Sequence, residues 1–132
     1  MNNYRVIILD ASALIALLSE EIGAAFVKEL LPISVMSSVN VAEVAQFLVI
    51  TKQIDKYKSK EIIEHLIADS FVFDNEQAFL SAELIVATKK YGLSLADRAC
   101  IALALKTGYP IYTADKVWKK IEIEHVNIHL IR

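Results

Sequence analysis

Cysteine is nearly missing from this chain: Cys100 stands alone, so no intrachain disulfide can close and no thiolate metal cluster can form. Its apolar neighbours Ala99, Ile101 and Ala102 make it a small core residue. Glycine and proline are scarce too. Gly23, Gly92 and Gly108 are scattered as punctuation, and no repeat, low-complexity tract or Gly/Ser linker divides the sequence, so residues 1–132 read as one domain. Without a glycine-rich phosphate loop, or a serine in a strand–turn–helix elbow, P-loop and serine-hydrolase chemistry are disfavoured. No apolar stretch reaches the ~18 uncharged residues needed to cross a bilayer. Asp10 interrupts the N-terminal apolar run and no small-residue cleavage site follows, which points to a cytoplasmic protein and not to a secretion signal. A basic excess is lacking as well. The formal charge of -2 argues against a protein that coats nucleic acid through many phosphate contacts, but not against a nuclease.

What the chain does have is apolar content, 55 % of its residues, and enough length to bury roughly 68 % of the surface that its unfolded form exposes. Arg5 to Asp10 is a continuous run rich in β-branched residues, as expected of a central strand covered on both faces. Further strands are predicted at Ile33 to Met36, Phe71 to Phe73, Ile111 to Thr113 and, at an edge, Ile128 to Ile131. Helical patterns fill the intervals: Ala13 to Leu18, Ile22 to Leu31 closed by Pro32, Val41 to Ile50 capped by Asn40, Lys56 to Ala68, Glu76 to Tyr91 stopped by Gly92, and Ser94 through Lys106 ending at Gly108. Strands alternating with helices imply an α/β fold, a three-layer α/β/α sandwich with a mostly parallel central sheet.

Four isolated acids, Asp10, Glu43, Asp97 and Asp115, stand at the edges of apolar segments, where a neutral residue would fold more cheaply. In an open parallel sheet, ligands bind beyond the carboxyl ends of the strands, and Asp10 and Asp115 each follow a predicted strand. Each acid also has a purely local use. Asp10 suits the cap of a helix starting near Ala11, and Asp115 suits a turn before Lys116. Asn40 with Glu43, and Ser94 with Asp97, have the spacing of a capping box. Gathered at one sheet edge, however, four carboxylates would raise one another's pKa unless a cation neutralised them. Oxygen ligands without histidine suit Mg²⁺ or Mn²⁺ better than zinc. With these acids set aside, the remaining charges carry a slight basic excess that favours phosphate.

The blocks Ile8-Leu9-Asp10-Ala11-Ser12-Ala13-Leu14, Val41-Ala42-Glu43-Val44, Leu95-Ala96-Asp97-Arg98-Ala99-Cys100-Ile101-Ala102 and Ile111-Tyr112-Thr113-Ala114-Asp115-Lys116 follow one another in an order that resembles the PIN domain, especially the compact VapC-like ribonuclease toxins. The resemblance covers essentially the whole chain. It implies metal-binding and catalytic roles for Asp10, Glu43, Asp97 and Asp115, with the hydroxyls of Ser12 and Thr113 in support. It also implies a Mg²⁺- or Mn²⁺-dependent endoribonuclease that cuts RNA to 5′-phosphate and 3′-hydroxyl ends, a homodimer, and a small antitoxin partner covering the acidic groove. One departure is visible: the family often carries another acid two positions after the last one, where this chain has Val117. A PIN fold that has lost turnover and acts as a binding module is the alternative. Haloacid-dehalogenase chemistry would require a second aspartate where Ser12 stands.

Among neighbouring residues, Arg98 and Lys116 are candidates for flanking phosphates, whereas Lys119 and Lys120 read as a solvated face. Trp118 suits either core packing or base stacking. His125 and His129 read as surface residues, and His65 has no catalytic partner in the sequence. Leu17, Leu18, Phe47 and Leu48 belong to the core or to a protein interface.

Overall fold

The run Ile7–Leu9 (β1) is buried on both faces because it forms the middle strand of the sheet. The computed structural model describes residues 5–132. After β1 come α1 (Ala11–Leu18), α2 (Ala24–Leu30), β2 (Ser34–Ser37), α3 (Ser38–Gln46), α4 (Lys56–Leu66), β3 (Asp69–Phe71), α5 (Asn75–Glu83), α6 (Ile85–Thr88), α7 (Leu95–Thr107), β4 (Ile111–Thr113) and β5 (Ile128–Leu130). The strands pair in parallel in the order β3-β2-β1-β4-β5. Ile8 lies opposite Val35 on one side and Ile111 on the other.

Alternation along the strands divides the apolar residues between two layers. Ile7, Leu9, Met36 and Tyr112 face a cluster that includes Leu14, Val27, Val44 and Ile63 from α1 to α4. Ile8, Val35 and Ile111 face Ile101 and Leu103 of α7, with Leu84 and Trp118 completing that side. The result is the expected α/β/α sandwich. The strand order makes its reversal fall between β1 and β4: the chain winds outward through β2 and β3, then returns to the other side of β1. That is the switch point at which open α/β sheets form a crevice.

Several boundaries move for identifiable reasons. Asn40 does not cap α3; the Oγ of Ser37 accepts from the Val39 N–H, and the helix starts at Ser38. Its end widens into a π turn over Phe47–Thr51, with the Lys52 N–H reaching the Phe47 carbonyl. Strand β3 ends where the apolar triplet led to the prediction of its start, because Ser37 pairs with Phe71 and leaves Val72 exposed. The long helix predicted over Glu76 to Tyr91 is cut at Leu84, where the Thr88 hydroxyl donates back to the Leu84 carbonyl. Gly92 and Gly108 take left-handed conformations after Lys89–Tyr91 and α7, as their positions suggested. Trp118 is fully buried, so its packing role holds and the stacking platform does not. Leu48 is buried in the core, and Leu17, Leu18 and Phe47 pack half-buried against it.

Gly23, with φ of +97°, opens α2 where an added Cβ would lie 2.9 Å from the Ile131 carbonyl oxygen. Gly92 is also left-handed, at φ +72°, but an added Cβ there meets nothing within 4 Å. Gly92→Ala therefore carries the backbone cost alone, about 1–2 kcal/mol. Gly23→Ala adds a backbone clash of about 1–3 kcal/mol. Urea unfolding of the two variants is expected to show the larger loss for Gly23→Ala; equal losses would mean that the Ile131 contact is not tight.

Candidate functional site

Asp10 leaves β1 at its carboxyl end and caps α1, its Oδ1 accepting the Ala13 N–H at 2.9 Å. The side chain is only 4 % exposed, so its hydrogen bonds decide whether it can remain charged. Two hydroxyls supply them. Thr113 at the end of β4 donates to Oδ2 at 2.6 Å, and Ser12 donates to the carboxylate at 2.8 Å from each oxygen. The hydroxyls are themselves oriented: the Ala114 N–H donates to Ser12 Oγ at 3.0 Å and the Asp115 N–H to Thr113 Oγ1 at 3.1 Å. Each hydroxyl has one hydrogen, and each accepts from a backbone N–H while directing that hydrogen to Asp10.

The parallel crossovers bring two more acids to the same edge. A helix connecting parallel strands runs back against them, so α7 starts near the strands' carboxyl ends, and α3 starts directly after β2. Asp97, in the first turn of α7, is half-buried and forms a complete capping box with Ser94: its Oδ2 accepts the Ser94 N–H at 3.0 Å and the Ser94 hydroxyl accepts the Asp97 N–H at 3.2 Å. Glu43, also half-buried, accepts a hydrogen bond of 2.9 Å from the Asn40 amide at Oε1. This pair is a side-chain bond within α3, not the predicted capping box.

The charges of these acids act on one another. Burial raises the Asp10 carboxyl to about 6, against the lowering effect of Thr113, Ala13 and Ser12, and the Asp97 charge pushes it further up. Burial likewise raises Glu43, opposed by the Asn40 bond and reinforced by Asp97. The buried Cys100 thiol is raised by burial and by the charges of Asp10, Asp97 and Glu43 together. Three of the predicted acids, at the cap of α1, in α3 and in the first turn of α7, thus share one electrostatic neighbourhood.

Asp115 is placed differently. It is exposed, and its Oδ1 accepts the Val117 N–H at 3.0 Å, capping the 3₁₀ segment Lys116–Lys120. Its link to the others runs through its backbone and Thr113. Lys116 is exposed beside it. Arg98 is turned away: its guanidinium donates to the Ser81 carbonyl of α5 at 2.9 Å and joins two helices. His125 lies in an exposed turn at φ +68°, whereas His129 in β5 stacks on Tyr112 at 4.8 Å between ring centroids. His65 is exposed in the last turn of α4.

Among the described residues no three acidic, histidine or cysteine side chains come close enough to make a ready cage for a metal ion. The donor set nevertheless fits a hard divalent cation. It consists of carboxylate oxygens, one of them on a group raised by its burial and further by a like-charged neighbour, and Mg²⁺ characteristically uses one or two carboxylates and keeps several waters. Asp10 and Asp97 would hold such an ion, with Glu43 reaching it through water.

The chain matches the PIN domain family model over residues 7–124 and belongs to that family. No curated protein matches it in sequence. Among solved structures it resembles DNA-bound VapBC from Salmonella typhimurium at TM-score 0.72 and 13 % identity, covering 98 % of this chain and 100 % of that one. VapBC2 from Rickettsia felis, bound to a fragment of its promoter, gives 0.70 and 17 %, over 95 % and 98 %. VapBC-5 of Mycobacterium tuberculosis, from a family of toxin–antitoxin systems, gives 0.65 and 17 %, over 95 % and 98 %. The fold expectation is met in full.

The pH dependence of stability follows from Asp10. Its native value of about 6 lies above the ordinary 3.8, so the folded state holds a proton that the unfolded chain has already released. That contribution is complete below the ordinary value and disappears as pH rises through the native one, a loss on the order of 2–3 kcal/mol. In denaturant titrations with chelator present, Asp10→Asn is therefore expected to gain stability relative to wild type between about pH 4 and about pH 7. A difference that stays constant with pH would refute the raised carboxyl.

Proposed function

We propose that the chain is a divalent-metal-dependent endoribonuclease that hydrolyses RNA phosphodiester bonds, and that it serves as the toxin of a toxin–antitoxin pair. The observation that carries this reading is the buried Asp10 carboxylate at the β1/β4 switch point, sharing its field with Asp97 and Glu43. A protein stabilised only by its core gains nothing from a buried acid there. When bound, Mg²⁺ or Mn²⁺ supplies positive charge against the scissile phosphate and the acidity that lets water attack at neutral pH.

The chain's own groups do the rest. Asp10 and Asp97 would be the direct ligands; Ser12 and Thr113 hold the Asp10 oxygens in place and offset part of the rise that burial imposes, since their hydrogen bonds stabilise the charged form. Glu43 would act through water, and Asp115 would orient the nucleophile or hold a second ion. Water adds to phosphorus as the bond to the 3′ oxygen breaks, leaving a 5′-phosphate and a 3′-hydroxyl. Lys116 lies on the Asp115 side, where it is suited to a flanking phosphate. Arg98, committed to Ser81, contributes to the position of α7.

Resemblance to VapBC complexes supports a small antitoxin as partner. A homodimer is supported by the apolar side chains Phe79, Val86 and Leu95, exposed by 72 %, 89 % and 57 % on α5, α6 and the start of α7. Among the described residues no helix is long and apolar enough to cross a membrane.

RNA cleavage by the wild type is expected to require Mg²⁺ or Mn²⁺, to stop with chelator, and to fall at least about 100-fold in Asp10→Asn. Equal cleavage in every sample would reveal a contaminant; none in any, with RNA still bound, would favour a binding module. Sequencing of RNA 5′ ends after brief expression is expected to show recurrent cuts that vanish in Asp97→Asn. Cuts that persist in that variant would contradict the reading.

A further inference from the structure

We infer that Asn40 is a positioning residue for the acid site: its buried amide bridges Glu43 of α3 to the backbone beside Asp97 in α7. This rests on the metal-dependent reading above and assigns a residue that lies outside the acids and hydroxyls already discussed. Asn40 is 1 % exposed, and its Nδ2 donates to Glu43 Oε1 at 2.9 Å and to the Ala96 carbonyl at 3.1 Å. The two acceptors belong to different helices, and one is the residue immediately before Asp97. Both amide hydrogens are therefore used, which fixes the orientation of the group: a flipped amide would set its oxygen against a carboxylate and a carbonyl.

The amide oxygen has the opposite fate. Asn40 Oδ1 is buried without a hydrogen-bond partner. An unsatisfied buried acceptor destabilises the fold, and a residue chosen for packing alone would be apolar here. Asn40 is thus held for its donors. An acidic or acceptor-only side chain would repel Glu43, and an apolar one would leave its Oε1 without the donor that holds it. Groups that orient a ligand from behind commonly alter metal affinity when removed, even though they never touch the ion.

The test is a double-mutant cycle read by Mn²⁺ binding to the full chain, with free Mn²⁺ followed by electron paramagnetic resonance. Asn40→Ala is expected to weaken binding roughly tenfold while the protein stays folded by circular dichroism, the lower end of the range for such outer contacts. In a Glu43→Gln background the same change is expected to cost nothing further, because its effect passes through Glu43. Wild-type affinity in Asn40→Ala, or an equal loss in both backgrounds, would overturn the inference. If Asn40→Ala does not fold, Asn40→Ser is read by the same two criteria. Asp97→Asn separates the two levels: wild-type Mn²⁺ affinity in that variant would remove the metal reading itself, whereas lost affinity there with an unaffected Asn40→Ala would remove only the role of Asn40.

Discussion

A carboxylate withdrawn from water must be either neutralised or surrounded by donors, and Asp10 carries that constraint for the whole molecule. It stands on the middle strand, at the position where the winding of the sheet reverses, and its oxygens are held by groups from both sides of the reversal. The order of donors is directional. Backbone N–H groups at the exit of β4 fix the hydroxyls of Ser12 and Thr113, and the hydroxyls fix the acid. Pulling β4 out of register with β1 would break both steps together, so pairing in the sheet and geometry at the acid are one arrangement.

Topology then determines which other groups can reach this point. Parallel strands require crossovers, and crossover helices return to the same edge, so the first turns of α1, α3 and α7 arrive there without any special sequence. What the sequence adds is an acid on each helix: Asp10 capping α1, Glu43 in the second turn of α3 and Asp97 in the first turn of α7. Cys100 lies buried one turn beyond Asp97, where burial first, and then the charges of Asp10, Asp97 and Glu43, raise its thiol. Asp115 arrives by a different route, on a short 3₁₀ segment exposed to solvent, and it is attached to the group through the hydroxyl of Thr113.

The fold was legible where periodicity and punctuation agree. A β-branched run such as Ile7–Leu9 has few uses other than a strand covered on both sides, and Gly108 can adopt a left-handed turn that ends α7 cheaply. Legibility failed where partners decide. Val72 belongs to an apolar triplet but is exposed, because pairing with β2 ends at Phe71. Arg98 follows an acid of the site in sequence, yet one residue along a helix is a rotation of about 100°, and its side chain meets α5. Only the family resemblance places the Thr113 hydroxyl in support of the acids: its bond to Asp10 joins positions 103 residues apart, and sequence spacing holds no signal for it. Nor does it for Asn40, whose second acceptor lies on another helix.

Capping and ligand binding, which the sequence poses as rivals, are compatible in this geometry. Asp97 gives Oδ2 to the Ser94 N–H, Glu43 gives Oε1 to Asn40, and Asp115 gives Oδ1 to the Val117 N–H. Each bond engages one oxygen of a group that has two. A carboxylate fastened at one oxygen loses its rotational freedom before any ligand arrives, so less entropy remains to be lost when the other oxygen is used. Asp10 is the exception, engaged at both oxygens, and it is also the most buried of the four acids. It has the least freedom left and the greatest unrelieved burial of charge. These local contacts are therefore the means by which a small fold holds several acids still, and their presence does not count against a site.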